Sequence, residues 1–240
     1  MPQQATITEP PIGGTRAQAL LGVNPAQLNR LRETGLLGDE DTLRAMQTEG
    51  GHWRYDEARV RELATRPWVE LPSPSPDLAI HLAPLTPDPL HRGGRRYQGW
   101  HAFAPTHGLN PAEREDAWAG WWICRPEHYL GATLVGDVCG FVVEVAAIRG
   151  FHLADDGRVR FELSRASKQM RARYAGRRFR AAQGAAVQPL GPTLTATTAG
   201  ARTRTPSSSA STTTSTTATT APRTARTVTP STSRSTGDPR

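Results

Sequence analysis

The sequence is short of cysteine and of long apolar runs, and each shortage excludes a class of protein. Cys124 and Cys139 are the two cysteines, too few for a disulfide framework or a four-cysteine zinc site. No apolar run approaches the roughly 18 residues that a membrane-spanning helix needs. Residues 1–11 lack the charged start, apolar stretch and cleavage site of a secretory signal. We therefore expect a cytoplasmic protein without a membrane partner.

Lysine is almost missing too, and the remaining charge is unevenly distributed. Lys168 stands against 28 arginines, a bias that we attribute to a GC-rich coding sequence and not to RNA binding. Residues 1–156 carry a net charge of −6, residues 157–190 carry +8, and residues 191–240 carry +5. The positive charge of the chain is thus concentrated after residue 157.

The last part of the chain, residues 191–240, is predicted to be disordered. Serine and threonine fill 26 of these 50 positions, and no aromatic residue follows Phe179. Such a segment buries too little apolar surface to offset the entropy that ordering would cost. A phosphorylated or nucleic-acid-contacting tail has this composition, and so does a shifted reading frame of a GC-rich gene, so the tail is assigned no function.

Prolines mark a border inside the rest of the chain. Seven of them fall between Pro67 and Pro89, where they fix backbone angles and remove hydrogen-bond donors. A continuous helix cannot cross this segment. The sequence therefore predicts one folded unit at about 14–66, a proline-rich linker at 67–77 and a second folded unit at about 78–180.

The first unit has the pattern of a helix-turn-helix. Thr15 and Gln18 have the spacing of a capping box for a first helix. Asn24 is placed to cap a second helix that has Pro25 at its first position and ends at Gly35. Two short helices across a tight turn are the arrangement in which the second helix enters the major groove of DNA.

A wing-like segment follows the two helices. Residues 50–55 (GGHWRY) form a flexible, basic and aromatic turn, and Asp56 after it is placed to cap another helix. The whole resembles the winged helix-turn-helix of the MerR type, a class that includes excisionase-like modules. The matching stretches are residues 19–31 (ALLGVNPAQLNRL), 33–37 (ETGLL), 51–55 (GHWRY) and 57–63 (EARVREL). The order and spacing of these motifs make the resemblance fairly specific.

The resemblance implies double-stranded DNA as the partner, with a recognition helix at about Pro25–Glu33 and Arg54–Tyr55 in the wing against the phosphate backbone. Long arginine and glutamine side chains suit guanine and adenine edges. The candidate DNA-binding residues are Asn24, Gln27, Asn29, Arg30, Arg32, His52, Arg54 and Tyr55. No metal or other cofactor is expected. A helical protein-interaction module that shares the pattern is the alternative.

The chain departs from the MerR type in three ways. Members usually dimerise through a long helix after the winged module, whereas this chain has a proline-rich segment there. Residues 38–49 are acidic and longer than the usual connection, and the unit at 14–66 has eight arginines against eight acidic residues. Because this balance gives no net attraction to DNA, binding is expected to need a homodimer, the basic segment after residue 157, or both.

The second unit is predicted to be a small, mainly antiparallel β domain with short helices, so the fold class is α+β. Apolar residues alternate at 78–82, 141–148 and 159–163, which is the period of a strand, and the last two runs suit a hairpin. Four of the six tryptophans lie at 100–122, which favours a packed core over a base-stacking platform. The unit is similar to small PUA-like barrels.

A basic strip with interleaved aromatic residues occupies residues 165–180. Two interpretations stay open: contacts to DNA phosphates, or a solvated helix face. The candidate phosphate contacts are Lys168, Arg171, Arg173, Arg177 and Arg178.

The sequence thus predicts a sequence-specific DNA-binding protein, either a transcriptional regulator or an excisionase-like accessory factor, and not an enzyme. No glycine-rich phosphate loop, nucleophile elbow or zinc-protease motif occurs. The alternative is an enzyme that the winged unit delivers to DNA, or a PUA-like module that binds nucleic acid or a ligand, with the pocket in residues 78–180.

Overall fold

The computed structural model describes residues 10–70, 76–103, 108–180 and 185–191, and these residues belong to one compact unit. The described part combines helices with a mixed sheet, as the α+β class predicts. The centre of the predicted linker, 71–75, lies outside the described residues. The predicted tail, apart from Gly191, lies outside them as well.

The described residues contain six α-helices and ten strands, with short 3-10 helices at Arg92–Gly94 and Pro126–Tyr129. The helices are α1 (Gly14–Leu21), α2 (Pro25–Glu33), α3 (Glu40–Ala45), α4 (Glu57–Ala64), α5 (Pro111–Ala119) and α6 (Lys168–Tyr174). The strands are β1 (Ile12–Gly13), β2 (Arg54–Tyr55), β3 (Leu78–His81), β4 (Thr86–Pro87), β5 (Tyr97–Gln98), β6 (Gly120–Trp122), β7 (Thr133–Val138), β8 (Phe141–Leu153), β9 (Val159–Arg165) and β10 (Val187–Pro189).

Capping explains where the first helices begin. The predicted capping box at Thr15 and Gln18 is wrong, because the cap of α1 is Gly13, two residues earlier, and Gly13 makes no side-chain bond. The box predicted for α2 is confirmed: Asn24 Oδ1 accepts from Gln27 N at 2.9 Å, and Gln27 Oε1 accepts from Asn24 N at 3.0 Å. The segment predicted as a long connection contains α3, which Asp39 caps.

The segment before α1 pairs with the wing segment. Strands β1 and β2 are antiparallel, with Ile12 opposite Tyr55 and Gly13 opposite Arg54. Asp56 then caps α4 through a bond from Ala58 N, as predicted. This short ribbon holds the wing segment against the start of α1.

The main sheet has six strands in the order β10-β3-β7-β8-β9-β6 and is curled. The β3–β7 pair is parallel and the other neighbouring pairs are antiparallel, so the sheet is mainly antiparallel, as predicted. The predicted hairpin of β8 and β9 is confirmed. Strand β8 continues to Leu153, so its connection to β9 is shorter than the sequence suggests.

One hydrophobic cluster runs through the helices at the start of the chain and one face of the main sheet. It contains Leu28 and Leu31 of α2 as well as Leu78 and Ile80 of β3. A second cluster lies on the opposite face and includes Ala79 of β3. The two units predicted from the sequence therefore share a core, and the border at 67–77 stays a prediction.

Candidate nucleic-acid interface

Helix α2, the predicted recognition helix, has one buried and one exposed face. Leu28 and Leu31 are at most 4% exposed and fill the core. Side chains three and four positions apart lie on the same side of a helix, so the remaining positions form a continuous outer surface. The exposed residues of α2 are Pro25, Ala26, Asn29, Arg30 and Glu33.

A hydrogen-bonded network covers part of this surface. Asn29 Nδ2 donates to Glu33 Oε1 at 2.7 Å, and Arg32 Nη2 donates to Asn29 Oδ1 at 2.7 Å. The Arg32 guanidinium also lies 4.4 Å from the ring centroid of Trp53 in the wing segment. Arg32 was predicted to contact DNA, but its side chain is only 19% exposed and ties α2 to the wing. It therefore positions Asn29.

A cleft of about 550 Å³ lies between the start of α1, helix α2 and the wing segment. It brings together four predicted DNA-binding residues: Asn29, His52, Arg54 and the largely buried Tyr55. Asn24 and Gln27 are instead occupied with each other in the cap of α2. The cleft is lined by Gly13, Gly14, Thr15, Gln18, Pro25, Leu28, Asn29, Thr48, His52, Trp53, Arg54 and Tyr55.

Tyr55 has a different role from the predicted one. The residue is 4% exposed and belongs to the main hydrophobic cluster. Burial raises the pKa of its hydroxyl, and the charge of Arg32 opposes that rise. A side chain packed in this way offers almost no surface to a DNA phosphate. The predicted phosphate contact is therefore corrected to a core contact that anchors β2.

The turn between β7 and β8 contacts α2 from the other side. Cys139 Sγ donates to the backbone oxygen of Gln27 at 3.7 Å. Asp137 in the same turn is fully buried; its Oδ1 accepts from Gly140 N at 2.7 Å and its Oδ2 lies 2.5 Å from His81 Nδ1. The sequence carries no signal for this pair, since 56 positions separate its members.

The His81–Asp137 pair makes stability depend on pH. Burial by itself would lower the pKa of His81, but the hydrogen bond and charge of Asp137 outweigh it and raise that pKa above its ordinary value of 6.5. The folded protein therefore binds this proton more tightly than the unfolded chain. The resulting stabilisation is complete below about pH 6.5 and is lost as the pH rises through the raised pKa.

We therefore expect the melting temperature of the unchanged protein to fall more steeply above about pH 6.5 than that of a His81→Gln variant. Glutamine can donate a hydrogen bond to Asp137 but does not titrate. Thermal unfolding followed by circular dichroism at several pH values measures both slopes. Parallel curves above about pH 6.5 would contradict the expected linkage.

Residues 101–103 brace the end of α2. Ala102 N donates to the oxygen of Thr34 at 2.8 Å. Gly35 has a φ of 71°, and a Cβ atom there would lie 2.9 Å from the ring of His101. The close approach explains why glycine stands at this position. The positive φ, which glycine adopts readily, lets the chain turn after the helix. The ends of α2 are thus held in place by parts of the chain that the sequence assigned to a separate unit.

The basic strip divides into two groups of side chains. Arg173 Nη1 lies 3.2 Å from Asp77 Oδ2, and Arg177 Nη1 donates to the oxygen of Trp68 at 3.4 Å. The guanidinium of Arg178 lies 4.2 Å from the ring centroid of Trp68. Each of these three arginines thus has a partner within the protein, and Arg173 and Arg177 keep exposed surface. Their phosphate contacts stay a prediction.

Lys168 and Arg171 form the other group of the strip. Lys168 is exposed at the first position of α6, and Arg171 is half-buried one turn later. Neither side chain has an ion-pair or hydrogen-bond partner in the described part of the chain. They are the members of the strip that remain available to an anion.

Metal ligands, reactive thiols and long apolar helices would indicate other kinds of site. Within ranges 10–70, 76–103, 108–180 and 185–191, no three histidine, cysteine or acidic side chains lie close enough to hold a metal ion. Burial raises the pKa of Cys124 and of Cys139 to about 11, so both thiols are protonated near neutral pH. No helix in these ranges combines the length and apolar character that crossing a membrane requires.

Comparison of the chain with protein-family models, with curated proteins and with solved structures found no match.

Proposed function

We propose that the protein binds double-stranded DNA in a sequence-specific manner, as a transcriptional regulator or an excisionase-like accessory factor. The observation that carries this proposal is the cleft that sets Asn29, His52 and Arg54 beside the exposed face of α2. Polar and basic side chains on a short helix, next to a basic wing, suit the edges of bases and the flanking phosphates. The MerR-type module is part of the same proposal.

In this mechanism α2 enters the major groove. Arg30 is exposed in the middle of the helix and can donate two hydrogen bonds to guanine, the commonest specific contact. Asn29 can pair with adenine once its bonds to Glu33 and Arg32 are exchanged for bonds to the base. These two side chains would specify sequence.

The wing side of the cleft would hold the DNA backbone. Arg54 supplies a positive charge, and His52 supplies ring nitrogens on an exposed turn. The first N–H groups of α1 have no side-chain cap, because Gly13 occupies the cap position. A phosphate oxygen is a suitable acceptor for such groups. Backbone contacts of this kind fix the register of the protein on the duplex without reading sequence.

Two variants test this mechanism directly. Arg30→Ala is expected to weaken binding to a selected DNA site by about 1 to 3 kcal/mol and to relax the preference at one base pair. Arg54→Ala is expected to weaken binding to all sequences about equally. The DNA site is first selected from a random library with the full chain, and fluorescence anisotropy then gives the affinities.

Arg149→Ala is the matched control for both. Arg149 is exposed and bonds only to Ser164 Oγ among the described residues, at 2.8 Å. It lies nine positions along β8 from Gly140, so about 30 Å of extended strand separates it from the turn that touches α2. If the Arg30 and Arg54 variants bind every duplex as tightly as the control does, α2 and the wing do not form the interface.

Lys168 provides a separate test of the basic strip. If this side chain neutralises a DNA phosphate, Lys168→Gln lowers the slope of the logarithm of the binding constant against the logarithm of salt concentration by about 0.9. The slope is measured between roughly 50 and 200 mM salt. An unchanged slope would leave the solvated helix face as the interpretation of this end of the strip.

A further inference from the structure

A second cleft, of about 470 Å³, lies in the β-rich part of the chain. It opens between the start of α5, strand β8, the end of β9 and helix α6. Its wall is mainly apolar and includes Leu109, Pro111, Trp118 and Ala146. A ligand in this cleft would therefore bury an apolar body against the sheet.

Two of the charged side chains at the same cleft, Arg114 and Glu144, form an ion pair. Arg114 Nη2 donates to Glu144 Oε1, and Trp100 Nε1 donates to the same oxygen at 2.9 Å. The Arg114 and Glu144 charges therefore compensate each other. This pair shapes one wall of the cleft and leaves no net charge there.

Two further arginines have no such compensation. Arg165 at the end of β9 and Arg171 on α6 both line the cleft. In the part of the chain that the structure describes, neither side chain makes an ion pair or a hydrogen bond. By contrast, Arg173 on the same helix pairs with Asp77. The cleft thus presents guanidinium groups whose donors are free to bind an anion.

Glu115 is the remaining charged residue of the cleft. Its carboxylate makes no ion pair or hydrogen bond with the described residues, and burial, followed by the nearby charge of Asp116, raises its pKa. With the Arg114–Glu144 pair neutral, two arginines face one carboxylate, so the cleft carries a net positive charge. An anion is therefore favoured over a cation.

We propose that this cleft binds a small organic anion in which a carboxylate or phosphate group is attached to an aromatic or aliphatic body. Arg165 and Arg171 would bind the anionic group through charge-assisted hydrogen bonds. The apolar body would pack on the apolar wall around the exposed Pro111, as ligands do in mostly apolar clefts that contain a few polar groups. This site does not involve α2 or the wing segment, but it shares Arg171 with the candidate phosphate contacts of the basic strip.

Isothermal titration calorimetry of the full chain with 1-naphthoate tests the proposal. Two comparison compounds isolate its parts: 1-naphthylmethanol keeps the rings without the charge, and acetate keeps the charge without the rings. We expect saturable binding of one 1-naphthoate per chain and at least tenfold weaker binding of both comparison compounds. Absence of saturable binding, or equal binding of 1-naphthylmethanol, would overturn the proposal.

Exposed charge variants locate the site. Arg171→Gln is expected to weaken 1-naphthoate binding about tenfold, because it removes a charged hydrogen-bond donor. Glu115→Gln is expected to strengthen binding about twofold, because it removes a nearby negative charge. Arg125→Gln removes one charge from an exposed arginine outside the cleft and should leave affinity unchanged. Equal affinities of the Arg171 and Arg125 variants would overturn the assignment to this cleft.

Discussion

Replacement of Asp137 by alanine is expected to lower the free energy of unfolding by roughly 3 to 5 kcal/mol. Asp137 is fully buried and accepts a hydrogen bond from Gly140 N at 2.7 Å, while its second oxygen lies 2.5 Å from His81 Nδ1. The variant would leave both donors inside the protein without their acceptor. An unsatisfied buried group costs its full desolvation free energy, which is why removing one partner is more damaging than removing both.

The loss should extend to α2, because Asp137 holds the turn whose Cys139 contacts Gln27. Urea unfolding measures the global loss, and amide hydrogen exchange reports whether α2 is exposed more often. Asp155→Ala is the matched control, since Asp155 is exposed and should change stability by less than about 0.5 kcal/mol. A loss no greater for Asp137→Ala than for this control would show that the buried carboxylate contributes nothing.

Replacement of Gly99 by alanine is the second substitution expected to be severe, at more than about 3 kcal/mol. Gly99 has a φ of 95°, a conformation that side-chain-bearing residues rarely adopt. A Cβ atom there would lie 2.4 Å from the oxygen of Pro84 and 2.7 Å from the oxygen of Ala83. Both obstacles are backbone atoms, and a packed interior cannot move them cheaply.

Hydrogen bonds prevent the segment around Gly99 from shifting to relieve this overlap. Gly99 N donates to the oxygen of Ala117 at 2.9 Å, and Trp100 N donates to the oxygen of Ala83 at 2.9 Å. Any displacement that accommodates the methyl group would lengthen these bonds. The variant is therefore expected to disturb the junction between β5 and α5 as well as to lose stability.

Gly157→Ala separates the energetic cost of the steric overlap from the cost of the backbone conformation. Gly157 has a φ of 77°, and no atom other than those of its chain neighbours lies within 4 Å of the position of its Cβ. Its substitution should therefore cost only the left-handed conformation, about 1 kcal/mol. Urea unfolding of the two variants gives the comparison. Equal losses would mean that the close approach to Ala83 and Pro84 has no energetic consequence.

Local elements were predictable because their signals lie within a few residues. Asn24 and Asn110 each stand three positions before the residue that completes a capping box, and both boxes are present. The alternating residues of β8 and β9 predicted a hairpin, and the two strands pair. The error at Thr15 is also local, since a helix start can shift by two residues when glycine replaces a side-chain cap.

The candidate site was only partly predictable from the sequence. The spacing of Asn29 and Arg30 on α2 places both on its exposed face, as the helical period requires. The same reasoning could not tell that Tyr55 is buried or that Arg32 stacks on Trp53. The local sequence pattern is the same for a wing residue and for a core residue, because burial depends on parts of the chain that are distant in sequence.

The sequence by itself determined the helix caps, the strand period, the concentration of positive charge after residue 157 and the helix-turn-helix pattern. The tertiary structure alone decided that Asp137 meets His81, that Arg173 meets Asp77, and that Arg165 and Arg171 lie at one cleft without a partner among the residues that the structure describes. The reason is that caps and periods depend on residues a few positions apart, whereas these contacts join residues far apart in the chain. Such contacts exist only once the sheet and helices have packed, and burial then decides which charges need a partner.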